Sequence, residues 1–115
     1  MSCPVDYSFC NQTVTVYRKR KDQILRLQID KCYFSLEETY MQDGYGRKIR
    51  KKCRLILPGK QSVFAGDRVY PGIGPQVDAD SWNSFVPDNV PGLCVLQQVK
   101  TYFWDNTPCH TEASC

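Results

Sequence analysis

Cys109 and His110 are adjacent, and His110 is the sole histidine, so a thiol nucleophile with an imidazole base has one candidate pair in this chain. Neighbouring residues on an extended chain point to opposite sides, so the two side chains do not naturally meet. Glu37 and Glu38 are adjacent carboxylates. General acid–base work needs carboxylates that converge on one point, and a strand would aim these two apart. Seven cysteines, at 3, 10, 32, 53, 94, 109 and 115, leave at least one thiol free within a monomer. No C-x-x-C occurs, so a zinc site would have to draw on scattered positions. Cys32, Cys53 and Cys94 lie in apolar, strand-like runs and read as reduced, buried thiols acting as small hydrophobes. Disulfides among the terminal cysteines are the alternative. The segment GDRVYPGIGP (66–75) has neither the spacing of a phosphate-binding loop nor a following helix. No catalytic site, metal site or cofactor is expected.

The strongest charge feature is RKIRKKCR (47–54). Alternation on a strand aims Lys48, Arg50, Lys52 and Arg54 to one side. Such a row suits phosphates, an acidic protein surface or plain solubility. Tyr102, Phe103 and Trp104 form an aromatic run that suits core or interface packing, or a platform for bases.

These residues are positioned by residues 31–58, two strand-like runs around Asp43-Gly44-Tyr45-Gly46. Glycine takes positive φ without steric cost, so this is a hairpin turn. If Gln42 pairs with Arg47, then Tyr40 faces Ile49, Leu36 faces Cys53, Phe34 faces Leu55 and Cys32 faces Leu57, all on one side. Glu37–Lys52, Thr39–Arg50 and Ser35–Arg54 share the other side, and Glu38 meets Lys51 on the apolar one. A slip of one residue would set Leu36 against a cation, so this register is favoured. At roughly 3.3 Å per residue each arm spans about 35–40 Å, enough to project from a small barrel. The tip for partner or channel contact comprises Tyr40, Gln42, Asp43, Tyr45, Arg47, Lys48, Arg50 and Lys52.

Elsewhere, residues 13–17 read as a strand, 18–22 (RKRKD) as a basic turn, and 23–29 as a second strand with Leu25, Leu27 and Ile29 on one face and Ile24 off it. Residues 61–65 and 68–70 flank a tight turn at Gly66-Asp67. Residues 78–85 read as the one short helix, capped by an Asp, with Trp82 and Phe85 on one face. Residues 94–103 read as the last long strand. Residues 1–11 read as an arm or extended segment that a neighbour would order, and 104–115 as a tail.

With 115 residues and a net charge of +3, one domain is the simplest organisation. The expected fold is all-β, a mainly antiparallel small barrel or sandwich with one short helix and a long projecting hairpin. No signal-peptide pattern and no run of ~18 apolar residues occurs, so a cytoplasmic origin and no membrane contact are expected.

Four stretches together carry a resemblance: TVTVYRK (13–19), CRLILPG (53–59), GDRVYPGIGP (66–75) and VPGL…VKTYFWD…CHTEA (90–113). They resemble minor capsid or head–tail connector proteins of tailed bacteriophages, of the head-closure or stopper type, across roughly residues 10–113. The resemblance implies a structural, non-enzymatic subunit of a homo-oligomeric ring at the head–tail junction of the virion, assembled in the host cytoplasm. It implies portal, adaptor and tail proteins as partners, with double-stranded DNA in the channel within reach of the hairpin. The hairpin is more compact than a stopper loop, which keeps a tail-terminator ring as an alternative. A stand-alone nucleic-acid-binding β-barrel and a cysteine-dependent enzyme are the competing readings.

Overall fold

A computed structural model describes residues 5–44, 46–59 and 62–115, and the side chains of 41–43 and 47–50 lie outside the description. The chain is all-β. Its strands are β1 (Gln12–Arg20), β2 (Gln23–Asp43), β3 (Gly46–Pro58), β4 (Arg68–Pro71), β5 (Cys94–Val95), β6 (Gln98–Trp104) and β7 (Thr107–Ser114). They form one sheet in the order β5-β4-β1-β2-β3-β7-β6, with every pairing antiparallel. The two outermost strands are consecutive in the chain. Between them Leu96 N–H donates to Asp67 O (2.8 Å) and Gln97 N–H to Ser114 O (2.8 Å). The sheet therefore curls until its two ends meet at this seam, which gives a barrel-like body.

One core fills the curl. Val14, Val16, Cys32, Phe34, Cys53, Leu55, Leu57, Val63, Val69, Cys94, Leu96 and Ala113 are buried together, with Ile29 and Leu36 packed against them. A second cluster lies on the other side of β1, where Tyr17, Trp82, Phe85 and Leu93 pack under the 72–93 segment. Thr15 and Tyr17 anchor that segment. Thr15 Oγ1 donates to Gly72 O (2.8 Å) and accepts from Gly74 N–H (2.9 Å), and Tyr17 Oη donates to Pro75 O (2.7 Å). A Cβ at Gly74 would collide with Tyr17 Oη, so this close approach requires glycine.

The expected register of the β2–β3 hairpin holds from Gln42↔Arg47 through Phe34↔Leu55. Other boundaries differ, each for a physical reason. Residues 23–29 and the next strand are one 21-residue strand. The register against β1 jumps between Val14↔Ile29 and Gln12↔Cys32, which leaves one extra residue on β2, and Lys31 sits at φ 58°. This bulge switches the inward parity from Leu25, Leu27 and Ile29 to Cys32, Phe34 and Leu36. Leu25 and Leu27 share the face of Val16 yet stay exposed, so only Ile29 of that trio packs on the core. Arg18–Arg20 belong to β1 and not to a turn, because Arg18 reaches across to buried Asp67.

The described residues 62–65 form no strand. The expected helix at 78–85 shrinks to a 3-10 turn, Trp82–Ser84. Asp78 does accept from Ser81 N–H (2.8 Å), but Arg68 takes the carbonyls of Trp82 and Phe85 (2.6 Å each) while its guanidinium stacks on the Trp82 ring (3.7 Å). Trp82 O also accepts the Phe85 N–H that closes the 3-10 turn (3.2 Å), and Arg68 occupies Phe85 O at its C-terminal end, so the segment stops after one turn. The strand expected at 94–103 breaks at Leu96–Gln97, where the chain changes partner from β4 to β7.

The expected tail at 104–115 is instead mostly β7, held between β3 and β6. The described part of the expected N-terminal arm, residues 5–11, docks on the chain's own body. Tyr7 Oη hydrogen-bonds His110 Nδ1 (2.6 Å), Phe9 packs edge-on to Tyr33 and Cys10 is buried. Among the described residues no helix is long and apolar enough to cross a membrane.

Candidate functional site

Among the described residues, the outer part of the β2–β3 hairpin differs from the rest of the sheet in having no further strand partners. β1 pairs with β2 only as far as Cys32, and β7 pairs with β3 only from Arg54 onward. From Glu37 to Asp43 and from Gly46 to Lys52 the two strands pair with each other alone among the described residues. Lys48, Arg50 and Lys52 occupy alternate positions of β3, in register with Met41, Thr39 and Glu37 of β2. Arg54 continues the row but is committed to Glu112 at 3.0 Å. On the reverse side Lys51 lies 4.0 Å from Glu38 and donates to Pro87 O (3.4 Å). Tyr40 is 66% exposed. Of the expected tip residues, Tyr40 and Lys52 are described in full. Tyr45 lies outside the described residues, as do the side chains of Gln42, Asp43, Arg47, Lys48 and Arg50.

A second hairpin end carries the aromatic run. Asp105 and Asn106, both at positive φ (50° and 64°), make the tight turn between β6 and β7. Tyr102 stacks on His110 (4.9 Å between ring centres) with Lys100 Nζ over its ring (4.9 Å). Phe103 and Trp104 are exposed, so core packing does not account for them. Leu25 and Phe64 are exposed too; Leu25 lies opposite Arg18, whose guanidinium stacks on the Phe64 ring (4.4 Å).

Cys109 and His110 do not form a nucleophile–base pair. Buried and half-buried residues alternate along β7, with Cys109, Thr111 and Ala113 inside. Cys109 is disulfide-bonded. His110 is engaged by Tyr7 through Nδ1 and by Glu112 through Nε2 (3.3 Å). Glu37 and Glu38 occupy successive positions of β2 and so point apart.

The structure does bring together three thiols that the spacing kept apart. The sulfurs of Cys53 on β3, Cys94 on β5 and Cys115 just beyond β7 lie within 4.8 Å of one another. Cys53 and Cys94 are buried, and Cys115 is half-buried. Sulfur-to-sulfur hydrogen bonding from Cys53 pulls the Cys94 thiol down to about 7, against the upward push of burial, with help from Cys115 and the Lys51 cation. The same contact to Cys94, and then burial, push Cys53 up. These opposite shifts describe one event, because a proton lost from the trio leaves the remaining S–H groups donating to the thiolate. Cys32, buried alone, is pushed up to about 11 by desolvation.

Sequence reasoning missed the trio because the three residues lie far apart in the chain. The available signal was the C-T-A-C alternation of Cys109, Thr111, Ala113 and Cys115. Reading it as a strand in register with Cys53–Leu57 would have placed Cys115 beside Cys53, whose carbonyl accepts from Cys115 N–H (3.4 Å).

No family model, curated protein or solved structure matches this chain.

Proposed function

We propose that this protein is a non-enzymatic structural subunit of a ring at the head–tail interface of a tailed bacteriophage, of the head-closure or stopper type. The observation that carries the reading is the ribbon from Glu37 to Lys52, whose two strands have no strand partner but each other among the described residues. A two-stranded ribbon is at best marginally stable in water, so one extended beyond a packed body suits contacts made elsewhere. We read it as a projecting finger that meets a neighbouring subunit, an adjoining ring or DNA in the channel. Ring symmetry would repeat the Lys48–Arg50–Lys52 row around one axis and turn a mild charge per subunit into a strong field. Exposed Leu25, Phe64, Phe103 and Trp104 offer apolar contact for neighbouring copies.

The portal or adaptor on one side and the tail on the other are the partners this role implies, in the virion and without a membrane. A tail-terminator ring would use the same geometry and differs in which partner is bound first. The test is deletion of the gene in its phage, with the particles imaged. Head closure predicts DNA-filled or DNA-leaking heads and free tails, joined again when the protein is supplied. A terminator predicts overlong tails. Normal, infectious particles that lack the protein would overturn both. A stand-alone nucleic-acid binder would instead show DNA affinity that falls steeply with salt and is lost in the double variant Lys48→Glu, Arg50→Glu.

A further inference from the structure

We propose that Cys53, Cys94 and Cys115 form a three-thiolate site for a single zinc-class cation, which clamps the seam of the barrel. The three sulfurs already converge within 4.8 Å of one another from three separate parts of the sheet. Around a tetrahedral zinc with Zn–S near 2.3 Å, sulfurs stand about 3.8 Å apart, so no pair of the trio needs to close by more than about 1 Å. Cys115 follows the last residue of β7 and is half-buried, so it is the member best able to adjust. Cys53 and Cys94 are fixed in the core.

The fourth coordination position has a source. Cys94 and Cys115 line an open cavity of about 280 Å³ together with Lys51, Pro87, Leu93, Val95 and Gln97. Water entering there completes a tetrahedron, which favours a four-coordinate cation over a trigonal one such as Cu(I). Loading is an exchange of protons for metal: three thiols release three protons to solvent as three S–Zn bonds form. The product carries one net negative charge, and Lys51, which bears electrostatically on Cys94, faces it. The location supplies the consequence. Cys94 belongs to the strand that ends the sheet at β4, Cys53 to the strand beside β7, and Cys115 follows the joint where Ser114 O receives Gln97 N–H. A bound cation therefore ties the two ends of the curled sheet together. It stabilises the folded state by mass action, independently of any ring or phage role.

The experiment uses the full chain, kept reduced with a non-thiol reductant and titrated with Co(II) as the spectroscopic probe, then with Zn(II). The expected result is one Co(II) per chain with thiolate-to-metal charge transfer and tetrahedral ligand-field bands, displaced by Zn(II), and a higher Tm with Zn(II). Losing even an outer-shell partner costs metal sites 10–100-fold, so Cys115→Ser is expected to weaken binding by at least about 100-fold. It should also abolish the Tm gain, whereas Cys10→Ser leaves both unchanged. Cys115→Ser also guards against misfolding, since its residue is not in the innermost core, and circular dichroism checks the fold of each variant. The proposal is overturned if folded, reduced wild type binds no Co(II) or Zn(II), or if Cys115→Ser binds as wild type does.

Discussion

The two halves of β3 are built by opposite rules. Within Cys53–Pro58, β2 pairs as far as Ile56 and β7 from Arg54 onward, and Cys53, Leu55, Ile56 and Leu57 are buried. Gly46–Lys52 has β2 alone. The ion pairs of the two regions differ in the same way. In the body, Arg18 grips Asp67 with two hydrogen bonds (2.8 and 2.7 Å), and the Asp67 side chain is 3% exposed and also caps Phe64 N–H. On the ribbon, Lys51 and Glu38 stand 4.0 Å apart, 29% and 42% exposed. The first pair closes a fold, whereas the second is too open to hold anything by itself. The difference indicates that the body is specified by burial and the ribbon mainly by cross-strand pattern, with Lys51 donating to Pro87 O as a link to the body. A strand pattern kept without burial is the kind of feature that contact with another molecule explains.

The contrast breaks most visibly at Asp67. Asp67→Ala leaves the Arg18 guanidinium half-enclosed without its partner and should cost about 3–5 kcal/mol, read as a shift in the urea midpoint. Glu38→Gln on the ribbon should cost no more than about 1 kcal/mol in the same assay. Equal losses at the two sites would refute the division between body and ribbon. Next comes packing. Leu55→Ala opens a cavity in the core and should cost about 2–5 kcal/mol, whereas Tyr40→Ala, opposite Ile49 on the same hairpin, should stay near 0.5 kcal/mol.

The body also carries a pH signature at Cys32. Burial raises the Cys32 thiol to about 11, while in the unfolded chain it ionises near the ordinary cysteine value of about 8.5. The sign follows from proton counting. Below about 8.5 both states hold the proton and Cys32 contributes no pH dependence. Between about 8.5 and 11 the unfolded chain has released it and the folded one has not, so stability falls as pH rises, by at most about 1.4 kcal/mol per pH unit. Denaturant midpoints measured across that window under reduction, for wild type and Cys32→Ala, should show the slope in the former and its reduction in the latter.

What was legible in the residues follows the same division. The hairpin register was readable because a one-residue slip would have driven Leu36 against a cation, and pattern alone specifies such a strand. The barrel-like class was readable from short alternating runs between Gly and Pro turns. The bulge at Asp30–Lys31 was not, because it requires a non-glycine residue at positive φ that only the neighbouring β1 justifies. β7 was hidden by Pro108 and by a polar composition that reads as a tail until Thr111 and Ala113 are seen inside the curl. The thiol trio depended on both of the missed features, the seam at Leu96–Gln97 and the strand that precedes Cys115. Long-range closure is written in no local stretch of the chain.

The smallest expected change in stability carries the sharpest test of the ribbon. Lys48 lies opposite Met41 and Arg50 opposite Thr39, so neither has an acidic residue directly across the strands, unlike Lys52 opposite Glu37. Reversing both, as Lys48→Glu with Arg50→Glu, places no like charge directly across a pair and should leave stability within about 0.5 kcal/mol per site. The formal net charge nevertheless passes from +3 to −1. Thermal and urea unfolding should therefore be nearly superimposable on wild type, while association with the partner ring or with DNA, measured by light scattering and by salt-dependent binding, should fall by an order of magnitude or more. If unfolding and association both stay as in wild type, the row is there for solubility, and the ribbon's contacts run through Tyr40 and the turn instead. If unfolding shifts as far as it does for Leu55→Ala, the ribbon is folded against the body after all, and the division between the two halves of β3 fails.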